Sequence, residues 1–309
     1  MSWQRMLALA ALALAACGAD EPELELALNW KPEPEFGGIF EAERLGAFAR
    51  RGLALERTGG PGAPVVQMVT ARQVEFGIAS ADEVVLARDR GSDVVAVFAT
   101  YQTCPQGLMT HAARGFETLE ALFRSEGTLA VEPGLPYVKW LEKRYGFGAL
   151  QVVPYSYSIA PFLTDPKLAQ QVFVTAEPIA ARRAGAQPRV FLVADSGYDP
   201  YTAVVITHGE LLRGDPGTVA GVVAALREGW RVYLYDPGPA NAVMGPLNPE
   251  MDAEAFRLAA EAQEPLIEVA GGALGSMRAE RWAKLAAQLQ ELGLVAQPQP
   301  AERYFANPE

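Results

Sequence analysis

A chain of 309 residues, half of them hydrophobic, is long enough for one large domain or two ordinary ones with a sizeable core. A net charge of −11, with no basic grouping beyond pairs such as Arg50-Arg51 and Arg182-Arg183, excludes nucleic acid as a partner, because phosphate contacts need clustered cations. Two cysteines and two histidines (Cys17, Cys104, His111, His208) are too few for a thiolate-rich or histidine-rich metal site. They leave equally little for a Ser-His-Asp or Cys-His constellation, so neither catalytic nor metal-ligating residues are assigned, and no cofactor is implied.

The chain order begins with Arg5 and an unbroken apolar run from Met6 to Ala16. This run is shorter than the roughly 20 residues a spanning helix needs, and has the length of a signal-peptide core. It ends in Leu14-Ala15-Ala16-Cys17-Gly18, which resembles the bacterial lipobox. The resemblance implies a signal peptide over 1–16, lipidation of Cys17, and a tether over 17–23. The product would be an exported, membrane-anchored lipoprotein facing the periplasm or cell exterior. The competing reading makes Cys17 a small core residue at the start of a buried helix. The acidic, proline-containing stretch Gly18–Glu25 fits the tether better. With Cys17 acylated, Cys104 has no intrachain disulfide partner.

Strand-like and helix-like segments then alternate, which predicts an α/β protein. Leu24–Asn29 alternates as a strand. Ile39–Arg51 carries apolar residues at helical spacing and stops at Gly52. Strands follow at 53–56, 74–79 and 94–101, with helices at 64–70 and 81–90. The middle of the chain repeats the rhythm: strands at 107–110, 128–131, 151–153, 172–175, 189–193 and 203–207, and helices at 118–123, 137–145 and 178–184. Helices at 218–234, 239–244, 252–264 and 278–292 complete the chain. The layout predicts a first lobe of 24–105 plus 207–309 and an inserted second lobe of 106–206. A ligand would bind in the cleft between them, the usual place for hinge closure.

Asn29-Trp30-Lys31-Pro32-Glu33-Pro34-Glu35-Phe36-Gly37-Gly38 leaves a strand and enters a helix. Two prolines stiffen it, and paired glycines allow close backbone approach. This stretch, with Ala42-Glu43-Arg44-Leu45-Gly46-Ala47-Phe48, resembles the NMT1/THI5-like family of transporter solute-binding proteins. Phe76-Gly77-Ile78-Ala79-Ser80-Ala81-Asp82, Val174-Thr175-Ala176-Glu177-Pro178, Asp195-Ser196-Gly197-Tyr198-Asp199-Pro200-Tyr201 and Gly229-Trp230 extend the resemblance. It implies a two-lobed periplasmic-binding-protein-like (type II) fold. It also implies a substrate-binding lipoprotein, monomeric, that delivers a small-molecule nutrient to an ABC permease in the inner membrane. Family ligands include thiamine-precursor pyrimidines, and related binders take riboflavin or other small nutrients.

By that resemblance Trp30 is a stacking platform and Glu177 an acceptor for ring N–H groups. The other expected ligand-binding residues are Asn29, Phe36, Gly37, Gly38, Ser80, Asp82, Tyr101, Tyr157, Tyr198 and Tyr201. Plainer roles compete: Ser80 and Asp82 as helix caps, Glu177 as a helix-start acid, and Tyr198 and Tyr201 as hinge packing. Glu33 and Glu35 read more simply as solvated loop charges. The family often has histidine where Phe36 stands, so the hydrogen bond that histidine would make is lost here. Glu33, Glu35, Glu41 and Glu177 favour a neutral or cationic ligand over a sulfonate. Two other functions remain: a pyrimidine-precursor synthase, which in the family depends on a histidine and a cysteine-rich iron segment, and a ligand-sensing receptor on the same lobes.

Overall fold

A computed structural model describes residues 23–267 and 273–309. The leader, Cys17 and most of the tether lie outside them.

The elements run β1 (Glu23–Leu28), α1 (Gly37–Arg44), β2 (Ala54–Gly59), α2 (Val65–Thr70), β3 (Phe76–Ala79), α3 (Ala81–Asp89), β4 (Val94–Tyr101) and β5 (Gln106–His111). They continue with α4 (Leu119–Phe123), β6 (Glu126–Val131), α5 (Pro136–Tyr145), β7 (Ala149–Pro154), α6 (Ala160–Thr164), β8 (Leu168–Phe173), α7 (Glu177–Arg183), β9 (Pro188–Leu192) and β10 (Thr202–His208). The helical end comprises α8 (Gly209–Gly214), α9 (Pro216–Tyr235), α10 (Gly238–Met244), α11 (Ala253–Ile267) and α12 (Ala279–Glu291).

Two five-stranded mixed sheets result, ordered β2-β1-β3-β10-β4 and β7-β6-β8-β5-β9. They share one plan. In each, the strand second in the order pairs in parallel on both sides, β1 with β2 and β3, β6 with β7 and β8. In each, one antiparallel strand sits fourth in the order, β10 in one and β5 in the other. Those two are the strands that follow the crossings between lobes. The crossings therefore occupy Gln102–Pro105 and Val193–Tyr201. This is the expected α/β two-lobed architecture. The strand Thr202–His208 belongs to the first sheet, so the inserted lobe stops before it and not at 206.

The core is continuous through the hinge. One buried cluster runs from Val84 and Ile206 in the first lobe, through Tyr198 and Tyr201, to Leu129 and Leu141 in the second. The opposite faces of the two sheets have their own clusters, built around Phe36, Phe40 and Trp230 in one and Met109 and Phe162 in the other.

Local sequence explains where elements start and stop. Asp215 caps α9, accepting from the Thr218 N–H at 3.1 Å, with Pro216 in the first turn. The single helix expected over 39–51 is broken instead. The helix α1 ends at Arg44, Gly46 takes φ +66°, and a short 3-10 turn Ala49–Arg51 ends on Gly52 at φ +68°. The strand expected at 172–175 is Leu168–Phe173. Its centre is polar, Gln170-Gln171, yet both are buried, which hides the strand from a hydrophobic pattern. The helices α6 and α8 were not anticipated; each is five or six residues long, too short for a periodic signal.

Candidate functional site

A cavity of about 640 Å³ lies between the lobes. Its first-lobe wall is the loop after β1, in particular Asn29, Trp30, Glu33 and Glu35. Ligands of open α/β sheets favour the carboxyl ends of strands, and this loop leaves β1 at that end. The C-terminal helical region pins the loop from outside. Asn248 Nδ2 donates to Pro32 O at 3.1 Å, and Gln263 Nε2 donates to Pro34 O at 2.8 Å. Gln263 also accepts from Tyr101 Oη at 2.7 Å.

The second-lobe wall comes from the β7–α6 loop and the β8–α7 turn, bringing Tyr155, Tyr157, Phe173 and Glu177. Trp30 and Tyr157 face one another across the gap, ring centroids 6.5 Å apart and planes inclined by 28°. Tyr157 is 63% exposed and has φ +55°, an unfavourable backbone state for a bulky residue. Tyr155 stands 5.2 Å behind it.

The three carboxyls differ in their support. Glu177 opens α7, next to Pro178, and accepts from the Phe173 N–H at 2.7 Å and Tyr155 Oη at 2.8 Å. Glu33 accepts from Trp30 Nε1 at 3.2 Å and Asn248 Nδ2 at 3.4 Å. Among the described residues no protein donor reaches the Glu35 carboxyl, although it lines the cavity. Desolvation pushes Glu33 up to about 7, reinforced by the nearby Glu177 charge and opposed by the Trp30 hydrogen bond. Desolvation, then the Glu33 and Glu177 charges, push Glu35 up to about 8. Burial also raises Glu177, against the two hydrogen bonds it accepts. The cations at the rim are engaged: Lys31 pairs with Glu250, and Arg183 of the second lobe pairs with Asp252 of the first.

Of the residues expected from sequence, Asn29, Trp30, Tyr157 and Glu177 line this cavity together. The other eight do not. Phe36 is fully buried in the first-lobe core. Gly37 and Gly38 serve helix packing: a Cβ on Gly37 would sit 2.2 Å from the Tyr233 ring, and one on Gly38 2.2 Å from Trp230. Tyr101 lies beneath the loop, held by Gln263. Ser80 is the N-cap of α3 in a reciprocal capping box with Glu83. Asp82 bonds Ser80 Oγ and accepts from Tyr198 Oη at 3.0 Å. Tyr201 accepts from the Arg278 N–H at 3.0 Å and lies 4.0 Å under the Arg281 guanidinium. Ser80, Asp82, Tyr198 and Tyr201 thus gather at the hinge.

Glu33 and Glu35, read as solvated charges, turn out to be cavity groups. The available signal was the Pro32-Glu33-Pro34-Glu35 alternation at a strand end, which fixes carboxyls on a stiff loop. The scarce reactive side chains lie elsewhere. His111 bonds Phe162 O at 2.8 Å and stacks on its ring at 4.0 Å, and His208 caps α8. Cys104 is buried at the hinge, where burial pushes its thiol up to about 12. Among the described residues no group of three or more His, Cys, Asp or Glu is arranged to hold a metal ion, and no helix is long and apolar enough to cross a membrane.

The chain shares this fold with solved structures at low identity. The periplasmic aliphatic sulphonate binding protein SsuA of Escherichia coli superposes with a TM-score of 0.71 at 13% identity, covering 93% of this chain and 92% of that one. The alkanesulfonate-binding protein SsuA from Xanthomonas axonopodis pv. citri, bound to MOPS, gives 0.66 at 12% identity, covering 93% and 100%. The desulfurization enzyme DSZB gives 0.61 at 12% identity, covering 92% and 96%. The search of curated proteins returned no match. The family description "NMT1/THI5 like" matches residues 33–240, two thirds of the sequence, which take in Glu33, Glu35, the second-lobe wall and both crossings at the hinge: the chain belongs to the NMT1/THI5-like family.

Proposed function

We propose that this protein is the substrate-binding component of an ABC importer and that it captures a small, flat nitrogen heterocycle between its lobes. An aminopyrimidine of the kind used as a thiamine precursor is the first ligand class to test. The observation that carries this reading is the cavity itself: two facing aromatic rings beside carboxyls that retain acceptor capacity. A ring sandwiched between two others needs stacking gaps of about 3.5 Å on each side, roughly 7 Å in all, near the observed 6.5 Å. Ring N–H and amino groups would then donate to Glu177 and to the carbonyl oxygen of Glu35, the bonds to an ionised carboxylate being stronger than neutral ones.

The sulfonate named for the SsuA proteins is a poor fit to these walls. An anion would face Glu33, Glu35 and Glu177 while the rim cations are already paired. Turnover is disfavoured because neither histidine nor Cys104 lines the cavity, which leaves capture and release as the working cycle. Export and lipidation at Cys17 place that cycle outside the cytoplasmic membrane, next to a permease, and belong to the same proposal.

Titration calorimetry with aminopyrimidines, riboflavin and an alkanesulfonate tests the reading. Heat from a flat heterocycle, lost in Trp30→Ala, is the expected outcome. Binding of the alkanesulfonate alone, or binding untouched by Trp30→Ala, would reject the pocket described here. Fatty-acid labelling of the intact protein, abolished by Cys17→Ser, tests the anchor.

A further inference from the structure

We infer that the ligand-free cleft carries a proton on Glu35 and that a cationic ligand displaces it, so that loading is coupled to proton release. This rests on the capture reading above and narrows it from a flat heterocycle to a positively charged one.

The geometry is asymmetric. Glu177 already accepts two hydrogen bonds and Glu33 two weaker ones, whereas the Glu35 carboxyl faces the same space with no protein donor among the described residues. Two other carboxyls approach from the loop and from α7. Among the described residues, the further charged and titratable groups around them offer no unpaired cation, although the Lys31 charge lowers Glu33. Lys31 is held by Glu250, and Arg183 by Asp252, while Glu132, Tyr155 and Tyr157 add only acids and phenols on the second-lobe side. Behind the loop stands Tyr101, whose phenol burial keeps neutral. Three ionised carboxyls lining one cleft repel, and the carboxyl lacking hydrogen bonds is the one that keeps its proton.

Capture then exchanges one positive charge for another: the neutral carboxylic acid and the ligand cation become an ion pair, and a proton leaves to solvent. A neutral heterocycle offers no such exchange, since it would leave the acid protonated. Repulsion across the cleft also opposes closure of the empty, deprotonated protein, so the cation doubles as the agent that lets Glu177 approach the loop.

Two measurements test this. In the ligand-free protein, infrared difference spectra between about pH 6 and about pH 9 should show a neutral carboxyl signal disappearing. Glu33 also titrates in this window, so the signal lost at the higher pH is the one that should be missing in Glu35→Gln and retained in Glu33→Gln. Calorimetry should then use flat probes in pairs of permanent cation and neutral analogue, such as 1-methylnicotinamide and nicotinamide, in buffers of different ionisation heat. Below neutrality, cation affinity should rise about tenfold for each unit by which pH increases, with about one proton released, while neutral affinity stays flat. Overturning results are the absence of a titrating carboxyl in that range that Glu35→Gln removes, a cation affinity independent of pH, or binding by the neutral members alone. The last of these would leave the importer reading standing. Failure of both members of every pair would reject the ligand class itself, and displacement with it.

Discussion

Two polar, tyrosine-rich regions sit where the lobes meet, one at the cleft mouth and one at the hinge, and they are built on opposite plans. At the hinge the hydrogen-bonding groups are committed. Arg281, from α12, donates to Asp199 O at 2.7 Å, to Pro200 O at 3.1 Å and to Gln102 O, and pairs with the Asp199 carboxylate at 3.0 Å. One side chain therefore grips both crossings between the lobes. Asp199 in turn accepts from the Cys104 N–H at 2.8 Å. At the mouth, by contrast, Glu35 has no donor among the described residues and Tyr157 is held in an unfavourable backbone state. Residue types alone do not separate the two regions; saturation of hydrogen bonds does. A saturated set holds the frame, and an unsaturated set awaits a partner.

The sharpest break of this comparison is Arg281→Ala. It would remove a donor from three carbonyls and the cation from the Asp199 carboxylate, and its side chain is only 12% exposed. A loss of about 3 kcal/mol in denaturant unfolding is expected. Trp30→Ala should do the reverse, leaving unfolding nearly unchanged while weakening ligand binding by about 30-fold, or about 2 kcal/mol, as stacking contributions of that order imply. Equal effects of both variants on stability would erase the distinction between mouth and hinge.

The pH dependence sharpens the contrast from the mouth side. Glu35 titrates at about 8 in the folded protein against 4.5 ordinarily. Between those values the folded state holds a proton that the unfolded state has released. Stability therefore falls as pH rises through that window and levels off above it. Water in the cleft screens part of the effect, so a fall of roughly 2 kcal/mol is expected, and Glu35→Gln should remove the part of the fall above about pH 7, leaving what Glu33 contributes below it. Unfolding midpoints of both proteins in urea, at pH values across the window, measure it.

How much of this was legible in the sequence depended on whether a role shows in local pattern. The strand Val94–Tyr101 and the helix Pro216–Tyr235 are long and strongly apolar, and both stood out. Trp30 and Glu177 were assigned through the family resemblance, and the strand-to-helix turns that carry them agree with a cleft in this architecture. Burial of Glu33 and Glu35 was not legible, since it depends on Glu177 and on Asn248, 144 and 215 residues along the chain from Glu33. Gly37 and Gly38 looked like a ligand cradle until Trp230 and Tyr233 were seen to occupy that space. At the hinge, Ser80 and Glu83 carry the spacing of a capping box, which is the role the structure gives them. Ser80→Ala should accordingly cost about 1 kcal/mol of stability without changing ligand affinity.

The smallest expected effect is the most diagnostic, because its two readouts move in opposite directions. At φ +55° the backbone of Tyr157 suits glycine, and the exposed ring buries little surface that a substitution would forfeit. Tyr157→Gly should relieve backbone strain, offset in part by the entropy glycine loses on folding, for a net gain in stability of about 0.5 kcal/mol. The same change removes the ring that faces Trp30 and should lower ligand affinity by roughly tenfold. A hinge residue lost in this way would reduce stability and leave affinity to follow. A residue kept in strain for its contact with ligand gives stability back when removed, and a combined fall in both quantities would assign Tyr157 to the frame.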